Sequence, residues 1–197
     1  MRTAAPLLFP LFRSRGQARL LAHVFLHPEA ARSLNQLARE IGIDPATAHR
    51  EAARLEEAGI LRSERVGRAR LLRPNEQSPF YPELSGLLLK AFGPVPLLRA
   101  SLGALNGIQR AFIYGSWASR HQGERGEAPG DIDVLVVGEP DRRALARICR
   151  EASDELRIDV RPTVLRPEDW DSDATGFIRS IKSRPLISLT RDTDDQG

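Results

Sequence analysis

Gly115-Ser116, followed after a loop of 14 residues by Asp131-Ile132-Asp133, constrains this chain more than any other feature. The second group opens the run Asp131-Ile132-Asp133-Val134-Leu135-Val136-Val137. Such a nearly continuous apolar run reads as a buried central strand. Side chains two positions apart on a strand point to one face, so the two carboxylates stand side by side. A carboxylate inside an apolar strand is costly unless a metal or another cation compensates it. Oxygen donors suit Mg²⁺, and the metal cancels their mutual repulsion. The Gly-Ser step ends a preceding strand over residues 108–114, where a backbone without a Cβ can approach a phosphate closely. Together these parts point to metal-assisted transfer from a nucleoside triphosphate.

A third carboxylate, Asp159, lies in Ile158-Asp159-Val160, after a helix capped by Asp141 and before Pro162-Thr163-Val164-Leu165. Gly-Ser, a loop, Asp-x-Asp and a later strand carboxylate, in that order, resemble the DNA polymerase beta-type nucleotidyltransferases. The likeness is to their minimal, single-domain bacterial members. The resemblance implies an α+β fold in which a mixed sheet is flanked by helices. It implies that Asp131, Asp133 and Asp159 are catalytic and hold Mg²⁺. It implies that Gly115, Ser116 and Arg120 bind the nucleotide, with ATP as the expected substrate, pyrophosphate as leaving group and a hydroxyl as acceptor. Arg125, in the long loop, is an alternative to Arg120 for neutralising leaving-group charge. Here Arg120 stands where many relatives carry glycine, and the loop is longer than usual. Small members of this kind are often antitoxins of toxin–antitoxin pairs, so the resemblance also implies a cognate toxin protein as partner.

The first half carries a different pattern. Residues 14–26 have helical periodicity, with Ala18, Leu21, Ala22 and Phe25 on one face. Ser33 with Gln36 has the form of a capping box, and Gly42 ends the helix that Ser33 starts. Asp44 and Pro45 are N-cap and first residue of a third helix, which stops at Gly59. Two short capped helices around a tight turn make a helix-turn-helix. Residues 60–66 and 70–73 then read as strands around Gly67-Arg68, a wing with arginines at its tip. From Leu37-Ala38 to Leu55-Glu56-Glu57-Ala58-Gly59-Ile60-Leu61 the segment resembles winged helix-turn-helix regulators of the arsenical-resistance repressor type. Such a domain places its third helix in the major groove of double-stranded DNA. Thr47, His49, Arg50 and Arg54 are then the candidates on that helix. Arg65, Arg68 and Arg70 are the wing residues for phosphate or the minor groove.

Charge agrees with this division. Residues 1–92 hold 14 basic and 9 acidic side chains, residues 93–197 hold 15 and 17, and the whole chain is +3. The excess of positive charge therefore lies in the half expected to meet a polyanion. The expected organisation is a winged helix-turn-helix over 1–77, a helical connector over 78–106, a minimal nucleotidyltransferase domain over 107–190 and a disordered tail over 191–197. The connector helices either bridge the two domains or pair two subunits, and half-site recognition favours a homodimer. No apolar run reaches the length of a membrane span. Met1 to Pro10 begins like a signal peptide, but two prolines and the following Arg13 and Arg15 leave its apolar region too short. One cysteine, Cys149, excludes an internal disulfide and falls on an apolar helix face with Leu145 and Ile148. A cytoplasmic location is expected, without a membrane. A transcription regulator that only senses nucleotide, or binds a partner, through the same pocket is the alternative function.

Overall fold

Short-range capping signals place the helices of the first unit. The computed structural model describes residues 9–28, 30, 32–67, 69–124, 129–172 and 175–190. Arg68 of the wing tip, Arg125 of the long loop and the tail 191–197 lie outside the described residues. Helix α1 (Arg15–Leu26) starts at Ser14, whose hydroxyl accepts from the Gln17 amide. A two-residue strand, β1 (Arg32–Ser33), leads into α2 (Leu34–Ile41). The capping box forms: Ser33 accepts from the Gln36 amide while the Gln36 side chain accepts from the Ser33 amide. Gly42 closes α2 at φ +66°, a left-handed turn that favours glycine. Asp44 caps α3 (Pro45–Glu57) by accepting from the Thr47 amide at 2.8 Å.

Strands β2 (Leu61–Val66) and β3 (Ala69–Pro74) form the wing hairpin, with Val66 opposite Ala69. The sheet runs β1-β3-β2, all antiparallel. The pairing of β1 was not expected from sequence, because two residues carry no periodicity. Helix α4 (Tyr81–Phe92) completes this unit. Leu20, Leu37, Leu72 and Leu88, from α1, α2, β3 and α4, meet fully buried in one core.

The chain divides into two compact units between Gly93 and Pro94. The two helices of the expected connector therefore fall one to each unit. Helix α5 (Pro94–Leu102) starts at Pro94, since proline suits the first turn of a helix.

The second unit is a four-stranded mixed sheet, ordered β6-β5-β4-β7. Strand β4 (Ile108–Tyr114) pairs antiparallel with β5 (Asp131–Gly138), and β5 pairs parallel with β6 (Asp159–Leu165). A short edge strand, β7 (Ile187–Ser188), pairs antiparallel with β4. Helix α6 (Gly115–His121) follows β4 directly, and α7 (Arg142–Leu156) makes the crossover from β5 to β6. The final helical region is two helices, α8 (Pro167–Asp171) and α9 (Gly176–Lys182).

Period-two alternation splits the sheet into two faces. Ile113, Ile132, Val134, Val136 and Val160 pack on one side with Leu145, Cys149 and Ala152 of α7. On the other side Leu135 and Val137 pack with Trp170, Ile178 and Ile181 of α8 and α9. Asp131 and Asp133 share a strand face with Leu135 and Val137, so the carboxylates stand at the end of the face that α8 and α9 cover. Among the described residues no helix is long and apolar enough to cross a membrane.

Candidate functional site: an acidic cluster and a basic helix face

The parallel register of β5 and β6 sets Asp131 opposite Asp159 and Asp133 opposite Arg161. The antiparallel register of β4 and β5 sets Tyr114 opposite Asp133. All of these side chains therefore belong to one end of one face. Arg161 joins the cluster: its Nη1 donates to Asp131 Oδ2 at 2.5 Å and its Nε donates to Asp159 Oδ2 at 2.8 Å. The hydrogen bond to Asp159 first, then the charges of Asp131 and Asp159, raise the pKa of the guanidinium. Sequence reasoning missed Arg161. The signal was present, because Asp159 and Arg161 have the same two-residue spacing as Asp131 and Asp133.

Asp133 is half-buried rather than enclosed by the strand. Its carboxylate accepts no hydrogen bond from a described residue, so the cation that the strand position demanded serves its neighbours instead. Burial raises its pKa above the ordinary value; repulsion from Asp131 adds to this and Arg161 opposes it. Gly115 packs against this carboxylate: a Cβ there would lie 2.6 Å from Asp133 Oδ2, and the backbone has φ +75°. Ser116 is exposed at the start of α6. Tyr114 closes the apolar side of the cluster, with its hydroxyl 3.2 Å from Thr163 Oγ1 and its ring edge-on to the half-exposed Phe177. Burial raises the Tyr114 pKa, the Thr163 hydrogen bond lowers it, and Asp133 and Asp131 raise it further.

Arg120 Nη1 donates to the Glu124 carbonyl at 2.8 Å, so it is tied to the loop that follows α6. Among the described residues no three His, Cys, Asp or Glu side chains are gathered closely enough to hold a metal ion. Arg161 stands between two of the three expected ligands. Trp170 is core, stacked on Phe112 under Lys182, and Trp117 packs on the α7-side core while stacking on His121.

In the first unit α3 exposes His49, Arg50 and Arg54 along one side. Arg50 Nη2 donates to Thr47 Oγ1 at 3.0 Å, and that hydroxyl donates to Asp44 Oδ2 at 2.8 Å. Thr47 is thus part of the cap and only partly exposed. Arg54 is paired with Glu51, whose side chain is only 7% exposed. Arg70 is paired with Glu56 and bonds Ser63 Oγ, which braces the wing on α3. His49 and Arg65 are exposed and make no hydrogen bond or ion pair among the described residues. Of the expected DNA-facing residues, His49, Arg50 and Arg65 are therefore presented to solvent, while Arg54 and Arg70 are anchored to carboxylates. His23 lies 3.0 Å from Glu40, which Arg32 also approaches.

The MarR family model matches residues 13–70. Similar solved structures include two transcription regulators. One is MepR, a transcription regulator of the Staphylococcus aureus multidrug efflux pump MepA, at 13% identity and a TM-score of 0.35, over 42% of this chain and 60% of that one. The other is the PcaV transcriptional regulator from Streptomyces coelicolor in complex with its natural ligand, at 22% identity and a TM-score of 0.34, over 43% of this chain and 63% of that one. The chain thus spans about three fifths of the length of each regulator. A search of curated proteins returns no match. The family matched is MarR, not the arsenical-resistance repressor type that the sequence resembles. Residues 13–70, the part of the first unit that holds the helix-turn-helix and most of the wing, are thus similar to the MarR family.

Proposed function

We propose that this chain is a DNA-binding transcription regulator whose second unit holds a divalent metal with a nucleoside triphosphate. The observation that carries the DNA reading is the exposed side of α3. It presents His49 and Arg50 beside a wing whose Arg65 is unpaired among the described residues, all within the segment that matches the MarR family. Arg50 reaches a guanine edge or a phosphate, and Arg65 a phosphate. Arg54 and Arg70 keep the helix and wing in register with each other. A homodimer reading two half-sites is the assembly proposed. Fluorescence anisotropy with a duplex from upstream of the protein's own gene tests this across a salt series. The expected result is binding whose logarithm falls linearly with log salt. Affinity that ignores salt, or none, overturns it.

The acidic cluster favours a second activity, nucleotide transfer. Asp133 is the reason to place a metal here: its carboxylate is partly desolvated, repelled by Asp131 and free of hydrogen bonds from described residues. Oxygen donors of this kind fit Mg²⁺. Asp131 and Asp133 would hold the ion, with Asp159 opposite completing the set once Arg161 has moved aside. Bound Mg²⁺ would supply charge neutralisation at the phosphates and a lowered pKa for an attacking hydroxyl. Gly115 keeps the approach to Asp133 open because it has no Cβ, and Ser116 stands on that approach with an exposed hydroxyl. Asp159 would complete the metal set and help lower the pKa of the attacking hydroxyl. A nucleoside monophosphate would pass from the triphosphate, ATP being the first to try, to a hydroxyl of the acceptor, with pyrophosphate leaving. A cognate toxin protein is one such acceptor. Label transfer from α-labelled nucleoside triphosphates with Mg²⁺ into lysate of the source cells tests this against the Asp131→Asn/Asp133→Asn double variant. Label on one macromolecule with wild type alone supports transfer. No label with any of the four nucleotides leaves a regulator that senses the nucleotide without transferring it.

A further inference from the structure

Glu51 is the one charged side chain that is buried among the described residues. It interrupts the apolar line of Ala48, Ala52 and Leu55 on the core face of α3, and its side chain is 7% exposed. Its Oε1 accepts from Arg54 Nη1 at 3.3 Å, while Oε2 has no hydrogen-bond partner among the described residues. A carboxylate so placed is costly, and an apolar side chain of similar size would serve the core better. Its charge also has the wrong sign for a helix that approaches a polyanion. Neither packing nor attraction to DNA accounts for a glutamate here, which leaves the arginine it holds.

Arg54 stands in the last turn of α3, with its side chain 46% exposed. One edge of the guanidinium is taken by Glu51, and its other donors meet no acceptor among the described residues. In a helix-turn-helix the first residues of the reading helix reach base edges, so an arginine in the last turn falls beside the sugar–phosphate backbone. A free arginine gives up rotamer freedom when it binds a phosphate. One already fixed through Nη1 has less to lose, and its planar fork keeps its aim.

We propose that Glu51 is a positioning residue for DNA binding: its buried carboxylate fixes Arg54 at the end of α3, so that the remaining donors of the guanidinium meet a phosphate of the duplex. This rests on the DNA-binding reading of the first unit. It explains why a core position of the reading helix carries an acid, and it assigns the acid to affinity rather than to base preference. Stability and function then pull in opposite directions at this one side chain, because the group that helps bind the phosphate weakens the core.

The test uses the full chain, fluorescence anisotropy with the duplex from upstream of the protein's own gene and with a scrambled duplex, and the melting temperature. Glu51→Met removes the carboxylate and fills its place with an unbranched apolar chain. It should melt at or above wild type and bind both duplexes about fivefold more weakly, the cost of ordering a loose arginine. Glu51→Gln keeps an acceptor for Nη1 and should restore most of the affinity. Charge alone predicts the reverse, since loss of a negative charge should tighten binding in both variants. Arg54→Ala should weaken binding and flatten the salt slope by about 1, and Glu51→Met added to it should cost nothing more. Tighter or unchanged binding by Glu51→Met overturns the proposal. So does a fall of melting temperature together with affinity, Glu51→Gln as weak as Glu51→Met, or the full Glu51→Met loss in the Arg54→Ala background. Binding that depends on Arg50 but on neither Glu51 nor Arg54 overturns the positioning role alone. Absence of binding by wild type overturns the DNA reading with it, so the two failures are told apart.

Discussion

At Gly115 two constraints fall on one residue. The backbone holds φ +75°, and an added Cβ would lie 2.6 Å from Asp133 Oδ2. A left-handed conformation costs an ordinary L-residue about 1–2 kcal/mol, before any displacement of the carboxylate. Gly115→Ala should therefore lower unfolding stability by at least that amount in urea titration, and should weaken Mn²⁺ binding because Asp133 must move. Stability equal to wild type would mean that the strand end relaxes freely and that the close approach is not a constraint. Cys149 is the opposite kind of residue, chemically capable but enclosed. Burial raises its thiol pKa from 9.0 to about 11. The thiolate is the nucleophile, and at pH 8 almost none is present. Native protein should react with a thiol reagent only at its rate of opening, and denatured protein at once. Fast native labelling would contradict the packing of α7 on the sheet.

At the scale of elements, the helix-turn-helix was legible because its signals are local. Ser33 and Gln36 are three residues apart, as are Asp44 and Thr47, and Gly42 acts on its own backbone. Each bond forms within one turn of helix, so residue identity alone announces it. Asp44 gives a test with a definite sign. Its pKa is lowered from 3.8, first by the side-chain hydrogen bond from Thr47 and then by the backbone one. A carboxylate with a depressed folded pKa stabilises above its unfolded value, and that contribution is lost as pH falls through the folded value. Asp44→Ala should thus melt below wild type at pH 7, and the gap should close as pH drops below 3.8. Asp44→Asn keeps an N-cap acceptor and should hold its melting difference from Asp44→Ala across the same range. A gap that persists unchanged in acid would assign the effect to helix propensity rather than the charged cap.

What was not legible is long-range. The ion pair of Arg161 with Asp131 spans 30 residues and depends on the parallel register of two strands joined by α7. Alternation places Arg161 on a face, but nothing short of the register says which residue it meets. The same holds for Arg70, which the wing pattern offers to DNA and the fold gives to Glu56 of α3. The strand β1 escaped because two residues cannot display a period. The two faces of β5 were legible in outline, since Asp131 and Asp133 had to lie together. That the face divides into an acidic end and an end roofed by Trp170 and Ile178 became visible only with α8 and α9 in place.

For the whole molecule, the question is whether its two candidate sites act independently at rest. The basic helix face belongs to the unit that ends at Gly93 and the acidic cluster to the unit that begins at Pro94. The first 92 residues are net positive and the remainder net negative, so counterion release on binding DNA should come from the first unit. Each phosphate contact contributes about −0.9 to the slope of log affinity against log salt. Arg50→Ala and Arg65→Ala should each weaken DNA binding and flatten that slope by about 1, whatever the duplex sequence contacted by phosphate alone. Arg70→Ala should act differently: it breaks the brace to Glu56, so affinity falls with loss of wing order and a lower melting temperature. The Asp131→Asn/Asp133→Asn variant should keep the wild-type slope in the absence of nucleotide, because removing acidic charge from the other unit releases no counterion from DNA. If that variant instead binds DNA with a steeper slope, the acidic cluster lies within a Debye length of the duplex and repels it. The two sites would then be one electrostatic unit, and the division of labour argued from the charge of the two halves would fail.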